Sequence, residues 1–131
     1  MKISADNEVI AVVRRYSDWN DGLDFVTNED AYIQIGTWKY DSGKVLDRHE
    51  HNRVVRSSDL TQECVFVVSG SMYVSFYNSN RVFITRIKLN QFDYAVILGG
   101  GHSYEIIDDN TRILEAKNGP YLGDDLDKTR Y

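Results

Sequence analysis

The sequence predicts an all-β domain, and three observations carry that expectation. Short runs rich in Val, Ile, Tyr and Phe recur at intervals of about ten residues, with turn-forming clusters between them, as in a sandwich or barrel. Within a run such as Met72–Tyr77, Met72, Val74 and Phe76 alternate with Tyr73, Ser75 and Tyr77, which gives one buried face and one wetter or partner-covered face. Nowhere do apolar residues hold helical spacing for three turns.

Taken in order, strands are expected at 8–14, 31–40, 44–51, 62–68, 71–77, 81–88, 93–98, 102–107 and 111–117. The breaks fall at Asp41-Ser42-Gly43, Ser69-Gly70, Asn78-Ser79-Asn80, Gly99-Gly100-Gly101 and Asp108-Asp109-Asn110, all built from residues that favour turns. Two hairpins are expected, one folding back at Ser69-Gly70 and one at Asn78-Ser79-Asn80. A helical turn fits near 57–61. Residues 118–131 lose the alternation and read as an extended arm over the barrel or over a neighbouring subunit.

The chain has 131 residues, 42% of them hydrophobic and 27% charged, which suits one globular domain, 1–131, with a barrel core at about 31–117. A net charge of −5, with basic residues scattered among more numerous acids, argues against a nucleic-acid partner. Cys64 is the single cysteine, so no internal disulfide forms and a reducing compartment fits. It neighbours Glu63 and points to the opposite face, as a buried structural thiol would. The amino terminus lacks the apolar stretch of a signal peptide, and no apolar run is long enough to span a bilayer. A cytoplasmic location, a small-molecule substrate and no membrane partner are the expectations. A homodimer is also expected, from the apolar, aromatic-rich strands.

All three histidines fall into one pattern. His49 and His51, at i and i+2 on an expected strand, would share a face, and two neutral imidazoles side by side make a pair of metal ligands. Glu63 opens the run ECVFVV, sharing a face with Val65 and Val67, and the glycine-rich corner at Gly99–Gly101 delivers His102. Three imidazoles and a carboxylate form a mixed set suited to one divalent transition metal, whether Mn, Fe, Co, Ni or Zn. Taken singly, each has an ordinary reading: a surface histidine pair, a solvated strand glutamate, a loop-end imidazole. Arg53 and Arg56 either grip a substrate carboxylate or phosphate or are solvated loop side chains. Gln34, Trp38 and Tyr40 alternate along one strand face and either line a sugar-sized pocket or form barrel core or a dimer contact. Glu105, Glu115 and Lys117 read as exposed or interfacial.

Gly43, five residues, then His49-x-His51, followed by Glu63, six residues and Gly70, resembles the first sequence motif of the cupin superfamily, G(X)5HXH(X)3-4E(X)6G. The departure is the gap from His51 to Glu63, which holds eleven residues instead of three or four and would form an enlarged loop at the barrel mouth. The second motif is matched by Gly99 and His102 and departs elsewhere. Closer still, His49–Asn52, Arg56, Thr61-Gln62-Glu63, Gly100–Glu105 and Gly119–Asp124 resemble small single-domain bacterial cupins found beside surface-polysaccharide and sugar-nucleotide genes. The resemblance implies a jelly-roll β-barrel of two antiparallel sheets, with His49, His51, Glu63 and His102 as metal ligands. It also implies three functions to weigh. The first is isomerisation or epimerisation of a carbohydrate or sugar-nucleotide derivative, metal-dependent or through a histidine base and a tyrosine acid drawn from Tyr32, Tyr40, Tyr73, Tyr77 and Tyr104, with His49, His102, Tyr40 and Tyr104 taken as catalytic residues and Gln34, Trp38, Arg53 and Arg56 as holding substrate. The second is an iron-dependent dioxygenase. The third is a non-catalytic sugar- or metabolite-binding module.

Overall fold

Antiparallel pairing dominates the computed structural model, which describes residues 1–131. Ten strands form three sheets: β1 (Lys2–Ala5), β2 (Glu8–Arg14), β3 (Gly22–Phe25), β4 (Gly36–Lys39), β5 (Glu63–Ser69), β6 (Met72–Tyr77), β7 (Phe83–Leu89), β8 (Tyr94–Ile97), β9 (Gly101–Ile106) and β10 (Arg112–Lys117). A five-stranded sheet runs β1-β2-β8-β5-β10, a three-stranded sheet runs β7-β6-β9, and β3-β4 form a separate hairpin. The fold is all-β.

The two larger sheets face each other across one core. Ala11 and Val13 of β2, Val65 and Val67 of β5, and Ala95 and Ile97 of β8 pack against Met72, Val74 and Phe76 of β6 and Leu89 of β7. Each of these sets follows the period of two that sends alternate side chains inward. The other face of the five-stranded sheet is also covered. Val12, Cys64, Tyr94 and Val96 pack there with Ile33, Trp19, Val26 and Ile35. Cover on both faces is why Tyr94–Ile97 is a continuous apolar run rather than an alternating one. Replacing the fully buried Phe76 by alanine is expected to cost about 3–5 kcal/mol. A urea midpoint unchanged from the parent chain would contradict this placement of the core.

Several sequence expectations are corrected. The core does not begin at residue 31, because Ile3 and Ile10–Val13 are part of it. Strand β1 is held by a two-residue turn in which Asp6 and Asn7 both have positive φ (52° and 66°), a geometry that Asp and Asn tolerate. The expected hairpin at Ser69-Gly70 is instead a corner between sheets: β5 pairs with β8 and β10, whereas β6 pairs with β7 and β9. Gly70 takes φ 77° there, and a Cβ on it would lie 2.2 Å from Thr111 Oγ1. The hairpin at Asn78 forms as expected, with Asn78 Oδ1 accepting from the backbone N–H groups of Asn80 and Val82.

Residues 44–51 form no strand, 57–61 no helical turn, and the expected 31–40 strand shrinks to Gly36–Lys39. Lys44–His51 lacks period-two apolar residues: Val45 and Leu46 are adjacent and charged groups follow, so neither face has anything to bury against a sheet. The run from Trp38 to Thr61 is exposed throughout. The arm at 118–131 is not wholly extended, because Asp124–Asp127 makes one helical turn, α1. Tyr131 lies edge-on to Tyr77 with Arg81 over its ring, so the arm does reach back over its own sheet. No helix is long and apolar enough to cross a membrane.

Candidate functional site

The site forms where β5, β9 and β10 approach at one end of the core. Glu63 is the first residue of β5 and faces inward with Val65 and Val67, while Cys64 packs on the opposite side. On β9, His102 stands opposite Phe76 and Tyr104 opposite Val74, so both share the inward face of β6. The corner that delivers them needs glycine. Gly100 has φ 68°, and a Cβ there would lie 2.4 Å from the Tyr77 carbonyl oxygen.

These three side chains meet at one oxygen. Glu63 Oε1 accepts a hydrogen bond of 2.6 Å from the Tyr104 hydroxyl and lies 2.8 Å from His102 Nε2. A bare nitrogen lone pair that close to a carboxylate would be repelled, so Nε2 carries the proton and faces Glu63. His102 Nδ1 is then the basic nitrogen, and it is shielded from solvent with no partner in the chain. On β10, Lys117 stands opposite Glu63 and Glu115 opposite Val65, with Lys117 Nζ 3.6 Å from Glu115 Oε1.

The electrostatics follow from this packing. The His102 contact holds the Glu63 carboxyl below its ordinary range; burial opposes the shift, and the Tyr104 hydroxyl and the Lys117 charge assist it. Burial first, then the Glu63 carboxylate, pushes the Tyr104 phenol strongly up, so it stays neutral and donates. Burial pushes Tyr94 up to about 12, and burial with the Glu63 charge pushes the Cys64 thiol up to about 12. Cys64 is therefore expected to react with a maleimide at neutral pH roughly a thousandfold more slowly than a free thiol, and at the ordinary rate once unfolded. Equal rates in native and denatured protein would show that the thiol is not buried.

The other expected site residues lie elsewhere. His49 and His51 sit on the exposed 38–61 segment, with ring centroids 5.4 Å apart and edge-on. His49 Nδ1 lies 3.0 Å from the Asp47 carbonyl oxygen. The four side chains expected to converge are thus split into two pairs, and nowhere do three or more His, Cys, Asp or Glu side chains gather in a metal-binding group. Arg53 and Arg56 are exposed on the same segment, Arg56 reaching only the Val54 carbonyl oxygen. The Gln34 amide donates to the carbonyl oxygens of Asn28 and Ala31, both at 2.9 Å, and so closes its own loop. Trp38 and Tyr40 line a cleft with Tyr16 and Trp19 on the outer side of the five-stranded sheet.

Lys117 and Glu115 escaped recognition as neighbours of the site. Their i, i+2 spacing was a signal, but its meaning depends on the β5–β10 register. Gln62 also has a positioning role. Its Oε1 accepts from Ile33 N, its Nε2 donates to the Leu98 carbonyl oxygen, and its own N–H donates to Asn118 Oδ1, which anchors the chain immediately before Glu63.

Compared with known proteins, the chain matches no family model, no curated protein and no solved structure.

Proposed function

We propose that the chain is a cupin-type protein that moves a proton next to a carbonyl group of a small polar substrate, a keto-sugar or sugar-nucleotide derivative. One observation supports this reading above others: Glu63 Oε1 lies against both His102 Nε2 and the Tyr104 hydroxyl, leaving His102 Nδ1 inside the fold as an unpartnered base. Imidazole as a class titrates near neutrality and suits this work. With the side chains that shield it displaced by substrate, Nδ1 would take the proton from the carbon beside the carbonyl, with the C–H electron pair passing into an enediolate. The resulting imidazolium is stabilised by Glu63, which Tyr104 holds in place. The same imidazole then returns the proton to the neighbouring carbon while the hydroxyl proton on the first carbon's oxygen passes to the adjacent former carbonyl oxygen, which completes an isomerisation. Epimerisation needs a proton on the opposite face, and a single base on one side favours isomerisation.

A metal-dependent reading is favoured by a different observation. The exposed segment that carries His49 and His51 runs directly into Gln62 and Glu63. As arranged, these residues do not fit a metal, because only Glu63 and His102 meet. A divalent ion shared by His49, His51, Glu63 and His102, for isomerase or iron-dependent dioxygenase chemistry alike, would require that segment to close over β9.

The test is deuterium incorporation from heavy water into a panel of keto-sugar nucleotides, with and without prior chelation. Exchange that survives chelation and fails in His102→Gln supports the histidine-base reading. Exchange that requires added metal and fails in His49→Ala supports the metal reading. No exchange with any member of the panel would leave a binding module as the better account.

A further inference from the structure

Away from Glu63 and His102, the β3–β4 hairpin carries a cleft of a different character. Tyr16, Ser17, Trp19, Trp38, Lys39 and Tyr40 line a space of about 450 Å³, within the range that small-molecule sites occupy. Two of its aromatic walls are bare: Tyr16 is 60% exposed and Trp38 is 55% exposed. The Trp19 indole N–H is shielded from bulk solvent and finds no acceptor in the chain. A second cleft shares Lys39 and Tyr40 and adds Asp21, Gly22 and Asp41.

The chemistry of these walls selects among occupants. Electron-rich aromatic faces attract the weakly electropositive C–H face of a sugar ring, and the neighbouring charged groups meet its hydroxyls. A nucleotide or sugar phosphate is disfavoured. Lys39 is held 2.8 Å from Asp21 with the Asp41 carboxylate also near it, and the second cation, Lys44, sits over the Tyr40 ring at 5.5 Å from its centroid. A protein partner is disfavoured by size, since a stable interface covers about 800 Å² on each side and this concavity is built from a handful of residues.

We propose that this cleft binds an uncharged pyranose ring of a saccharide, stacked on Trp38 between the Tyr16 and Tyr40 rings, with Asp21 and Lys39 addressing its hydroxyls. The site is separate from Glu63 and His102 and holds a sugar without transforming it. Nothing in it requires the histidine group to be catalytic.

Saturation-transfer NMR with a panel of methyl glycosides tests the proposal, using the full chain and reading the glycoside protons. At least one neutral glycoside is expected to bind saturably with a Kd of about 1 mM, the affinity of a shallow single-ring site. Trp38→Ala is expected to weaken that binding tenfold or more, Trp38→Phe to restore part of it, and His102→Gln to leave it unchanged. Tyr40→Ala serves as the second variant should Trp38→Ala fail to fold by circular dichroism. Saturable binding to none of the glycosides would overturn the proposal, as would binding indifferent to both substitutions. So would a glycoside phosphate binding more tightly than its neutral parent. Self-association that buries Trp38 at the working concentration, seen by light scattering, would also overturn it by assigning the cleft to a second copy.

Discussion

Glu63→Ala is expected to destabilise the protein by about 2–3 kcal/mol, a larger loss than an ordinary carboxylate substitution produces. The reason is what it leaves behind. Glu63 is a buried acceptor for the Tyr104 hydroxyl, and it lies beside the protonated face of His102. Alanine orphans both groups and opens a small void between the sheets. Glu63→Gln keeps an acceptor and is expected to cost about 1 kcal/mol. The difference between the parent chain and Glu63→Gln should also depend on pH. Because the folded Glu63 carboxyl lies below its ordinary value of 4.5, its contribution is fully present above that pH. It is lost as pH falls through the lower folded value. Urea midpoints of the two proteins should therefore converge on acidification below about pH 4.5. Tyr104 acts on the opposite flank. Its raised phenol contributes stability that is complete below its ordinary value of 10.0 and declines as pH rises above that. Tyr104→Phe should remove that alkaline decline. A Glu63→Ala protein as stable as its parent across this range would refute the described packing.

His102→Gln is expected to slow proton exchange on a responsive keto-sugar substrate by about 10²–10⁴-fold, the usual contribution of a positioned general base. Glutamine retains a group able to face Glu63 but supplies no basic nitrogen. Stability should therefore change much less than activity. Glu63→Gln should slow exchange less than His102→Gln does, because Glu63 acts through the imidazole: it orients the ring and stabilises its charged form. The pair is expected to be strongly non-additive, since once the base is gone its orienting partner has nothing to orient. Full exchange by His102→Gln would remove the imidazole from the chemistry.

Much of the fold was legible because a period of two is hard to mistake. Met72, Val74 and Phe76 point inward as read, and so do Glu63, Val65 and Val67 with Cys64 opposed. Strand β1 was not legible from its own four residues, two of which are Lys and Ser; only the Asp6-Asn7 turn betrays it. Strand β3, Gly22–Phe25, was missed for a similar reason, since its Leu23 and Phe25 are largely exposed. The corner at Gly70 was misread because a glycine after a strand suits a hairpin and a change of sheet equally well. At the site, the inward direction of Glu63 followed from the alternation and the need for glycine before His102 from the corner. Tyr104 could be named only as one tyrosine among several. That it reaches Glu63 depends on β5 and β9 facing each other across the core, a long-range fact that local pattern does not contain. The same gap explains Lys44–His51: two histidines at i and i+2 share a face only when the backbone is extended and paired, and here it has no partner strand.

Long-range ¹⁵N–¹H correlation of the imidazole nitrogens, recorded on chelator-treated protein at neutral pH, probes the Glu63–His102 contact directly. It reports which nitrogen of each histidine carries a proton. His102 should show a single tautomer with the proton on Nε2 and a bare Nδ1, and Glu63→Gln should disturb that signal while leaving those of the exposed His49 and His51 unchanged. A proton on His102 Nδ1, or a mixture of tautomers indistinguishable from the two exposed histidines, would contradict the arrangement on which the proposed chemistry rests.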